Sequence, residues 1–519
     1  MMLEEWTLPL TAASGLTDDV VRFLLCCLAN VPLGFVFYTL LVRNAAMPRN
    51  LVHIVSIGIG VFQLVFCFGP YGWVHLFLSS TVAMLFMHFL PKTLGVRLTW
   101  LWAIGYLSYL HIDRMLEDYG GYKLDVSGPQ MVVTIKLTAY AWNILDGHLS
   151  SKLNSYQAAH CIKPEDSPSP LQFYGFVFYF PSLLVGPGIE FMDYLRLINS
   201  VELNTPLPSF YVCSLNFILH TSRFHFVHLF FVFFFPFFFF QMLMVATLKK
   251  FFQVVVLLPF VFLQPMFSPT LFDSLSWTSL PLWRKLFDVY LSSVLLRTKY
   301  YFAWSLSDLG FTAAGSSYQH NPQNPSEPGW DAVKNVDILS IEYPADFSVV
   351  PAKWNILTHY WLKNHVFFRL PRGSPFGAPL TFLVSAFWHG FYPSYYFAFA
   401  TFFLVDFIDK AFTASVISRF RQRTDPLSRL LCAAHSLLIA WLTSYTGIIF
   451  SKLSPQEVFS FLRSVTFFGH LLLIPMLLLA LLFKPKCDPS PSTATSTMAT
   501  STTPGTNANP SVPTSKKIA

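Results

Sequence analysis

The chain alternates between long apolar blocks and short polar connections. Blocks close to the length that crosses a bilayer, about 20 residues, lie near 20–42, 51–69, 73–91, 171–188, 210–248, 251–268, 281–297, 428–450 and 459–483. The blocks near 98–112 and 131–145 are too short to cross alone, and 376–409 is long enough for two passes. A helix satisfies its own backbone hydrogen bonds in lipid, and barrel-type alternation is missing from these blocks. The pattern predicts an all-α polytopic membrane protein with about eleven transmembrane or re-entrant helices.

Two polar stretches, near 146–170 and 305–375, interrupt the apolar pattern. Within the second, Trp354, Trp361 and Phe368 recur at a spacing of seven. This spacing is typical of an amphipathic helix that lies at the membrane interface with its indoles at headgroup level. Such a region is where a water-borne substrate would meet the membrane.

The C-terminal end of the chain differs in composition from the rest. Residues 1–484 are predicted to form one membrane domain, and the Ser/Thr/Pro-rich residues 485–519 a disordered tail. The tail ends with Lys516-Lys517-Ile518-Ala519, the pattern of a dilysine retrieval signal that coatomer would recognise, although two lysines can also occur there by chance. Together with the charges near the N-terminus, this predicts an endoplasmic reticulum protein with a lumenal N-terminus and a cytosolic C-terminus.

Residues 200–241 contain an unusual run of phenylalanines that ends in Gln241. Phenylalanine codons are rich in pyrimidines, so the segment resembles a translated intron end and is interpreted as an insertion in the gene model. The alternative is an unusual transmembrane helix. RNA reads that run continuously through the segment would reject the insertion.

Composition supports the membrane class. Hydrophobic residues make up 54% of the chain and charged residues 12%, and the mean hydropathy is +0.49. The net charge of +7 comes largely from basic residues in short loops, which indicates positive-inside topology and contact with anionic lipid rather than nucleic acid. The seven cysteines form no C-x-x-C pair, so no metal site is predicted.

The block at 376–409 contains one ionisable residue before Asp406, and that residue is His389. An imidazole at membrane depth is costly, so it is a candidate functional residue, the alternative being a histidine bonded to a carbonyl on a packed helix. Histidine also suits general base catalysis near neutral pH. Asn355 could polarise a carbonyl without bringing a charge into the bilayer, or could serve as a helix cap.

Asn355 in W-N and His389 in S-A-F-W-H-G-F-Y-P, 34 residues apart, resemble the signature pair of the membrane-bound O-acyltransferase family. Further similar segments are D-V-S-G-P-Q-M-V-V-T-I-K-L-T at 125–138, W-N-I-L-D-G at 142–147, Y-F-P-S-L-L-V-G-P-G-I-E-F-M-D-Y at 179–194, R-T-K-Y-Y-F-A-W-S-L-S at 297–307 and W-D-A-V-K-N-V-D-I at 330–338. The resemblance covers about 100–196 and 281–450 and is greatest to the fungal-type lysophospholipid acyltransferases.

This resemblance implies helices around an intramembrane reaction chamber in which an acyl group passes from acyl-CoA to a lysophospholipid hydroxyl. His389 would be the general base, and Asn355 would orient the thioester or the imidazole or stabilise the oxyanion. No cofactor is expected, since acyl-CoA is a substrate. The residues expected to contact substrate are Trp354, Trp388, Gly390, Lys363 and Arg369.

Other classes fit the sequence less well. The chain has neither the G-x-S-x-G of serine hydrolases nor H-E-x-x-H, and Leu370 breaks the N-H-x-x-x-x-D box that begins at Asn364. A transporter would predict internal repeats, which the sequence does not show. A different acceptor within the same family, such as a sterol, diacylglycerol or a protein, remains an alternative.

Overall fold

The computed structural model describes residues 2–121, 123–149, 153–199, 226–318, 329–371 and 373–483. The described part of the chain is helical throughout, as the sequence predicts, apart from an isolated antiparallel bridge between Val336 and Trp354. The predicted tail, with Lys516 and Lys517, lies outside the described residues, as do residues 200–225 of the Phe-rich segment.

The N-terminal part of the fold consists of long helices connected by short turns. They are α1 Met2–Ser14, α2 Asp18–Val36 with a π-helical extension at Phe37–Val42, α3 Arg49–Phe68, α4 Gly72–Phe89, α5 Lys92–Glu117 and α6 Ser127–His148. Helix α6 is buried along nearly its whole length, which accounts for an apolar block too short to cross a membrane alone.

Short helices follow, and then two very long ones. They are α7 Ser155–His160, α8 Pro170–Val177, α9 Phe180–Leu183, α10 Phe191–Ile198, α11 Phe226–Leu263, α12 Leu275–Thr278 and α13 Leu282–Ala313. The prediction of a spanning segment near 171–188 is wrong, because α8 and α9 have eight and four residues and fill the protein interior. The apolar blocks near 210–248 and 251–268 are not separate helices, because α11 runs through residues 248–251.

The C-terminal part contains the segments that resemble the family signature. Its helices are α14 Ile338–Glu342, α15 Val349–Lys353, α16 Ile356–His365, α17 Gly377–His389, α18 Pro393–Phe412, α19 Ser418–Arg421, α20 Pro426–Ser451, α21 Pro455–Ser464 and α22 Phe468–Leu482. Local signals set several of these boundaries. Asp425 caps α20 ahead of Pro426, and Ser454 with Glu457 forms a capping box at the start of α21.

Five helical segments in the described residues are long and apolar enough to cross a membrane, or six if the bent pair of α21 and α22 counts as one span. They are Asp18–Val42, Arg49–Phe68, Gly72–Phe89, Leu243–Asp273 and Pro426–Ser451. The predicted number of about eleven also counts buried helices such as α6 and re-entrant segments.

The prediction of an interfacial helix is wrong about the position of Trp361. This indole is 2% exposed and lies in the interior, where it stacks on Trp100 at 5.8 Å between ring centroids. Its Nε1 donates a hydrogen bond to Thr138 Oγ1 at 2.9 Å. Helix α16 therefore packs within the helix bundle, because a spacing of seven describes a stripe that is buried just as well as one that faces lipid.

A buried ion pair holds the segment after α16 against α6. Both terminal nitrogens of Arg369 donate to the Asp146 carboxylate, at 2.6 and 2.7 Å, and the guanidinium lies 4.2 Å from the centre of the Trp142 ring. The Asp146 side chain is 1% exposed. Because such a carboxylate depends on its cation, the pair fixes the position of α16 relative to α6.

We expect Arg369→Met to lower the unfolding temperature of the purified protein, because the change leaves the Asp146 carboxylate buried and unpaired. Breaking a buried pair from one side costs roughly 3–5 kcal/mol. The measurement is thermal unfolding in detergent followed by intrinsic fluorescence. Arg423→Met is the matched control, since Arg423 and Asp425 form an exposed pair whose loss should change little. An unchanged midpoint for Arg369→Met would reject the structural role of the pair.

Candidate active site

His389 is the last residue of α17, and the backbone turns sharply after it. Gly390 has a φ of 121° and a ψ of −162°, a conformation that side chains disfavour, which explains the glycine at this position. The His389 ring is half-buried among aromatic rings. Its neighbours are Trp388, Tyr395, Phe399 and Phe450, at centroid distances of 4.9, 6.1, 5.5 and 5.2 Å.

The His389 ring has no hydrogen-bond partner in the described part of the chain. Neither ring nitrogen is hydrogen-bonded there, and neither is completely buried. The alternative from the sequence, a histidine tied to a carbonyl of a packed helix, is therefore not observed in the described residues. A base that must accept a proton from a substrate needs such an available nitrogen.

Asn355 occupies the N-cap position of α16, but its side chain does not cap the helix. Its backbone is left-handed, with φ 51° and ψ 57°, a conformation that asparagine tolerates better than most residues. The backbone N–H of Leu357 is instead bound by Asn335 Oδ1 at 3.1 Å. The prediction of a cap at Asn355 is thus correct for its position and wrong for its side chain.

The contact with Asn335 also orients the Asn355 amide. Since Asn335 Oδ1 accepts from Leu357, the other end of the same amide, Nδ2, donates to Asn355 Oδ1 at 3.0 Å. The Nδ2 group of Asn355 then remains as a donor. The amide can therefore stabilise a developing negative charge on a carbonyl oxygen.

Helices α16 and α17 pack together through two tryptophans. The rings of Trp361 and Trp388 are 6.3 Å apart, and both belong to one buried cluster with Leu107, Ile135 and Ala139. Asn355 lies six residues before Trp361, about 9 Å along a helix axis, and His389 directly follows Trp388. The two predicted catalytic residues therefore sit on adjoining helices, with no hydrogen bond between them in the described structure.

The predicted substrate contacts have different surroundings. Trp354 packs edge-on against Trp304 at 4.9 Å and close to Tyr300. Trp388 is 5% exposed and donates to the Met131 carbonyl at 3.0 Å, so its indole anchors α17 to α6.

The two cations predicted to contact substrate also differ. Lys363 lies over the Phe368 ring at 5.7 Å and has no carboxylate partner among the described residues. The Arg369 guanidinium is bound to the Asp146 carboxylate, and its contact with CoA phosphates stays a prediction.

Glu190 joins two of the family-like segments, 142–147 and its own, to the end of α16 in one buried cluster. Its carboxylate accepts hydrogen bonds from Asn143 at 2.6 Å, Tyr156 at 2.7 Å and His365 at 3.0 Å. It lies in the turn before α10, outside the candidate spans. Burial alone would raise the pKa of Glu190, but His365 and its other partners lower it to about 2. The cluster is ionic and ties the end of α16 to α6.

Sequence reasoning missed Asn335, His111 and the role of Glu190. His111 lies in the apolar block at 98–112, so the rule that singled out His389 also applies to it. Glu190 stands in the family-like segment V-G-P-G-I-E without a role assigned from the sequence. Asn335 stands in the family-like segment W-D-A-V-K-N-V-D-I, also without an assigned role, and only the folded backbone places it beside Asn355.

Comparisons with known proteins identify the family of the chain. Residues 64–449 match the family described as MBOAT, membrane-bound O-acyltransferase family. The chain is 30% identical to mouse membrane-bound glycerophospholipid O-acyltransferase 1, over 92% of each protein. It is 29% identical to lysophospholipid acyltransferase of Schizosaccharomyces pombe, over 79% of this chain and 74% of that protein.

A third relative is longer than this chain. Lysophospholipid acyltransferase 6 of Drosophila melanogaster is 29% identical over 80% of this chain, but the match spans only 55% of the fly protein. The family match covers well over half of the chain and includes both Asn355 and His389. The chain is a multi-pass membrane protein and belongs to the membrane-bound O-acyltransferase family.

Proposed function

We propose that this protein transfers a fatty acyl group from acyl-CoA to the free hydroxyl of a lysophospholipid, in phospholipid synthesis and remodelling. One observation carries the proposal. Asn355 and His389 lie on adjoining helices, where Asn355 offers an amide donor and the His389 ring has no hydrogen-bond partner among the described residues. The choice of acceptor is supported by the names of the relatives in mouse, fly and fission yeast.

The two side chains supply what a direct transfer requires. His389 removes the proton from the glycerol hydroxyl, and the oxygen attacks the thioester carbonyl. Asn355 Nδ2 donates to the carbonyl oxygen as it becomes negative. The carbon–sulfur bond then breaks, and the proton held by His389 passes to the departing CoA sulfur. The products are a diacyl phospholipid and free CoA, and no cofactor takes part.

The surroundings of these groups suit apolar chains and one polyanionic substrate. Tyr395, Phe399 and Phe450 give His389 an apolar wall that would exclude water from the thioester. We assign the contacts near Asn355 and His389 to Trp354 and Gly390, and Lys363 to a CoA phosphate. The indole of Trp388 and the guanidinium of Arg369 have partners within the protein, and their contacts with substrate stay predictions.

Parts of the proposal rest on sequence features alone. These are the endoplasmic reticulum location, the lumenal N-terminus and cytosolic C-terminus, and coatomer recognition of Lys516 and Lys517. The fungal type remains a prediction, because the mouse and fission yeast relatives are almost equally similar. Another acceptor within the family, such as a sterol, diacylglycerol or a protein, is the second candidate.

Membranes that contain the wild-type protein are offered lysophospholipids, sterol and diacylglycerol side by side. We expect them to transfer the labelled oleoyl group of oleoyl-CoA into phospholipid. His389→Ala should remove this incorporation, because general base catalysis contributes about 10²–10⁴ in rate. His470→Ala is the matched control, since His470 of α22 binds Tyr445 at 2.7 Å, away from His389. Labelling of sterol or triacylglycerol alone would overturn the lysophospholipid acceptor, and an active, folded His389→Ala would overturn the mechanism.

Asn355→Asp should lower kcat by about 10²–10³, the loss typical of one oxyanion donor. Aspartate keeps the size of the side chain and an acceptor for Asn335, but it has no N–H to offer the thioester. Initial rates over a range of oleoyl-CoA concentrations measure the effect. Asn364→Ala, which removes a hydrogen bond to the Tyr360 carbonyl at the far end of α16, should leave kcat nearly unchanged. A fully active Asn355→Asp would exclude Asn355 as an oxyanion donor.

A further inference from the structure

The His389 imidazole is not held in its orientation by a hydrogen bond to a described residue. Catalytic histidines are commonly held by a hydrogen bond to their second ring nitrogen. Here neither ring nitrogen of His389 is hydrogen-bonded in the described part of the chain, and the ring packs against aromatic side chains. The neighbouring aromatic rings can restrain the tilt of the imidazole plane. The direction in which the imidazole points must then depend on the position of the His389 backbone.

The backbone at His389 is held from another helix. His111 of α5 is 6% exposed, and its Nε2 lies 3.1 Å from the Trp388 carbonyl oxygen. A carbonyl can only accept, so the tautomer of His111 is assigned with the proton on Nε2. The bond reaches the peptide group that links Trp388 to His389.

This bond completes the end of α17. The last four carbonyls of a helix lack partners within it. The N–H of Gly390 is shared between the carbonyls of Ala386 and Phe387, at 3.2 Å each. The Trp388 carbonyl follows them and receives its donor from His111. Without that donor, the final turn would have an unpaired carbonyl in a buried site and would be free to unwind.

The same end of α5 also holds the chain just beyond His389. A Cβ atom placed on Gly390 would lie 3.4 Å from His111 Cγ and Nδ1, so the imidazole rests directly against the glycine. Shortly after α5 ends, the N–H of Gly120 donates to Tyr392 Oη at 3.0 Å. Residues 388–392 are thus attached at both ends to the α5 region.

We propose that His111 is a positioning residue for acyl transfer, which sets the direction of the His389 imidazole through its hydrogen bond to the Trp388 carbonyl. The inference rests on the proposed function, because it assigns His111 to the reaction that His389 is proposed to perform. His111 touches the backbone rather than the reacting atoms. Its loss should therefore lower kcat and leave the KM for acyl-CoA unchanged, since the thioester site at Asn355 remains intact.

The test compares two substitutions in the full-length protein. His111→Phe keeps a ring of similar size and removes the donor, whereas in His111→Gln the side-chain N–H₂ is as many bonds from the backbone as Nε2. We expect His111→Phe to lower kcat by about 10- to 100-fold, the scale of a small misplacement of a reacting group. His111→Gln should recover activity to within about threefold of wild type. The KM for oleoyl-CoA should stay within about twofold in both variants.

His75→Phe is the matched control. His75 of α4 bonds to Tyr106 of α5 at 3.1 Å, so its replacement also removes a histidine hydrogen bond to a neighbouring helix, but one that does not reach α17. It should change kcat little. All variants are compared for thermal unfolding, and if His111→Phe does not fold, His111→Ala takes its place.

Three results would overturn the inference: a folded His111→Phe with wild-type kcat, a folded His111→Gln as impaired as His111→Phe, or an effect confined to KM. A wild-type protein that acylates none of the acceptors is a separate outcome. It would overturn the proposed function and the role of His111 with it.

Discussion

The buried indole of Trp361 joins the two halves of the candidate site. It stacks on Trp100 of α5, donates to Thr138 of α6 and contacts Trp388 of α17. Asn355 lies at the start of the helix that carries Trp361, and His389 follows Trp388. The relative position of the two chemical groups is therefore set by the packing of one large, rigid side chain whose only polar atom is paired. An indole suits this task because it buries a large area with few rotatable bonds.

Much of the family-like sequence supports the scaffold rather than the reaction. Asp146 and Asn143 come from the W-N-I-L-D-G segment, and they bind Arg369 and Glu190. Glu190 in turn binds His365, the last residue of α16. In a low-dielectric interior such ionic groups are stable only when paired, so these contacts fix a unique arrangement of α6, α10 and α16. This explains why recognisable segments extend well beyond the residues that would touch substrate.

The sequence predicted the helical class correctly and marked His389 as a candidate residue, because both inferences depend on composition. An ionisable side chain in an apolar block is visible without any fold. The interior position of Trp361 was not predictable, because a heptad stripe reads the same against lipid and against protein. The prediction of a spanning segment near 171–188 was wrong for a related reason. Apolar content indicates burial, and short helices inside the protein are as apolar as helices that span the membrane. The roles of Asn335 and His111 arise from contacts between residues 20 and 277 positions apart, which spacing along the chain does not encode.

The Asn355 amide and the His389 imidazole carry no permanent charge, so the membrane does not have to accommodate one. An amide donates to an oxyanion without a counter-ion, and an imidazole holds a proton only while the acyl group moves. In the proposed reaction both would act on atoms common to every reaction of this type, the thioester and an alcohol. The choice among lysophospholipid, sterol and other acceptors must then be made elsewhere, by the side chains that surround the alcohol. Around His389 these are Tyr395, Phe399 and Phe450, which lie on α18 and α20 and are separate from the residues that hold Asn355. We therefore expect substitutions in this aromatic wall to change the acceptor without altering the proposed catalytic pair.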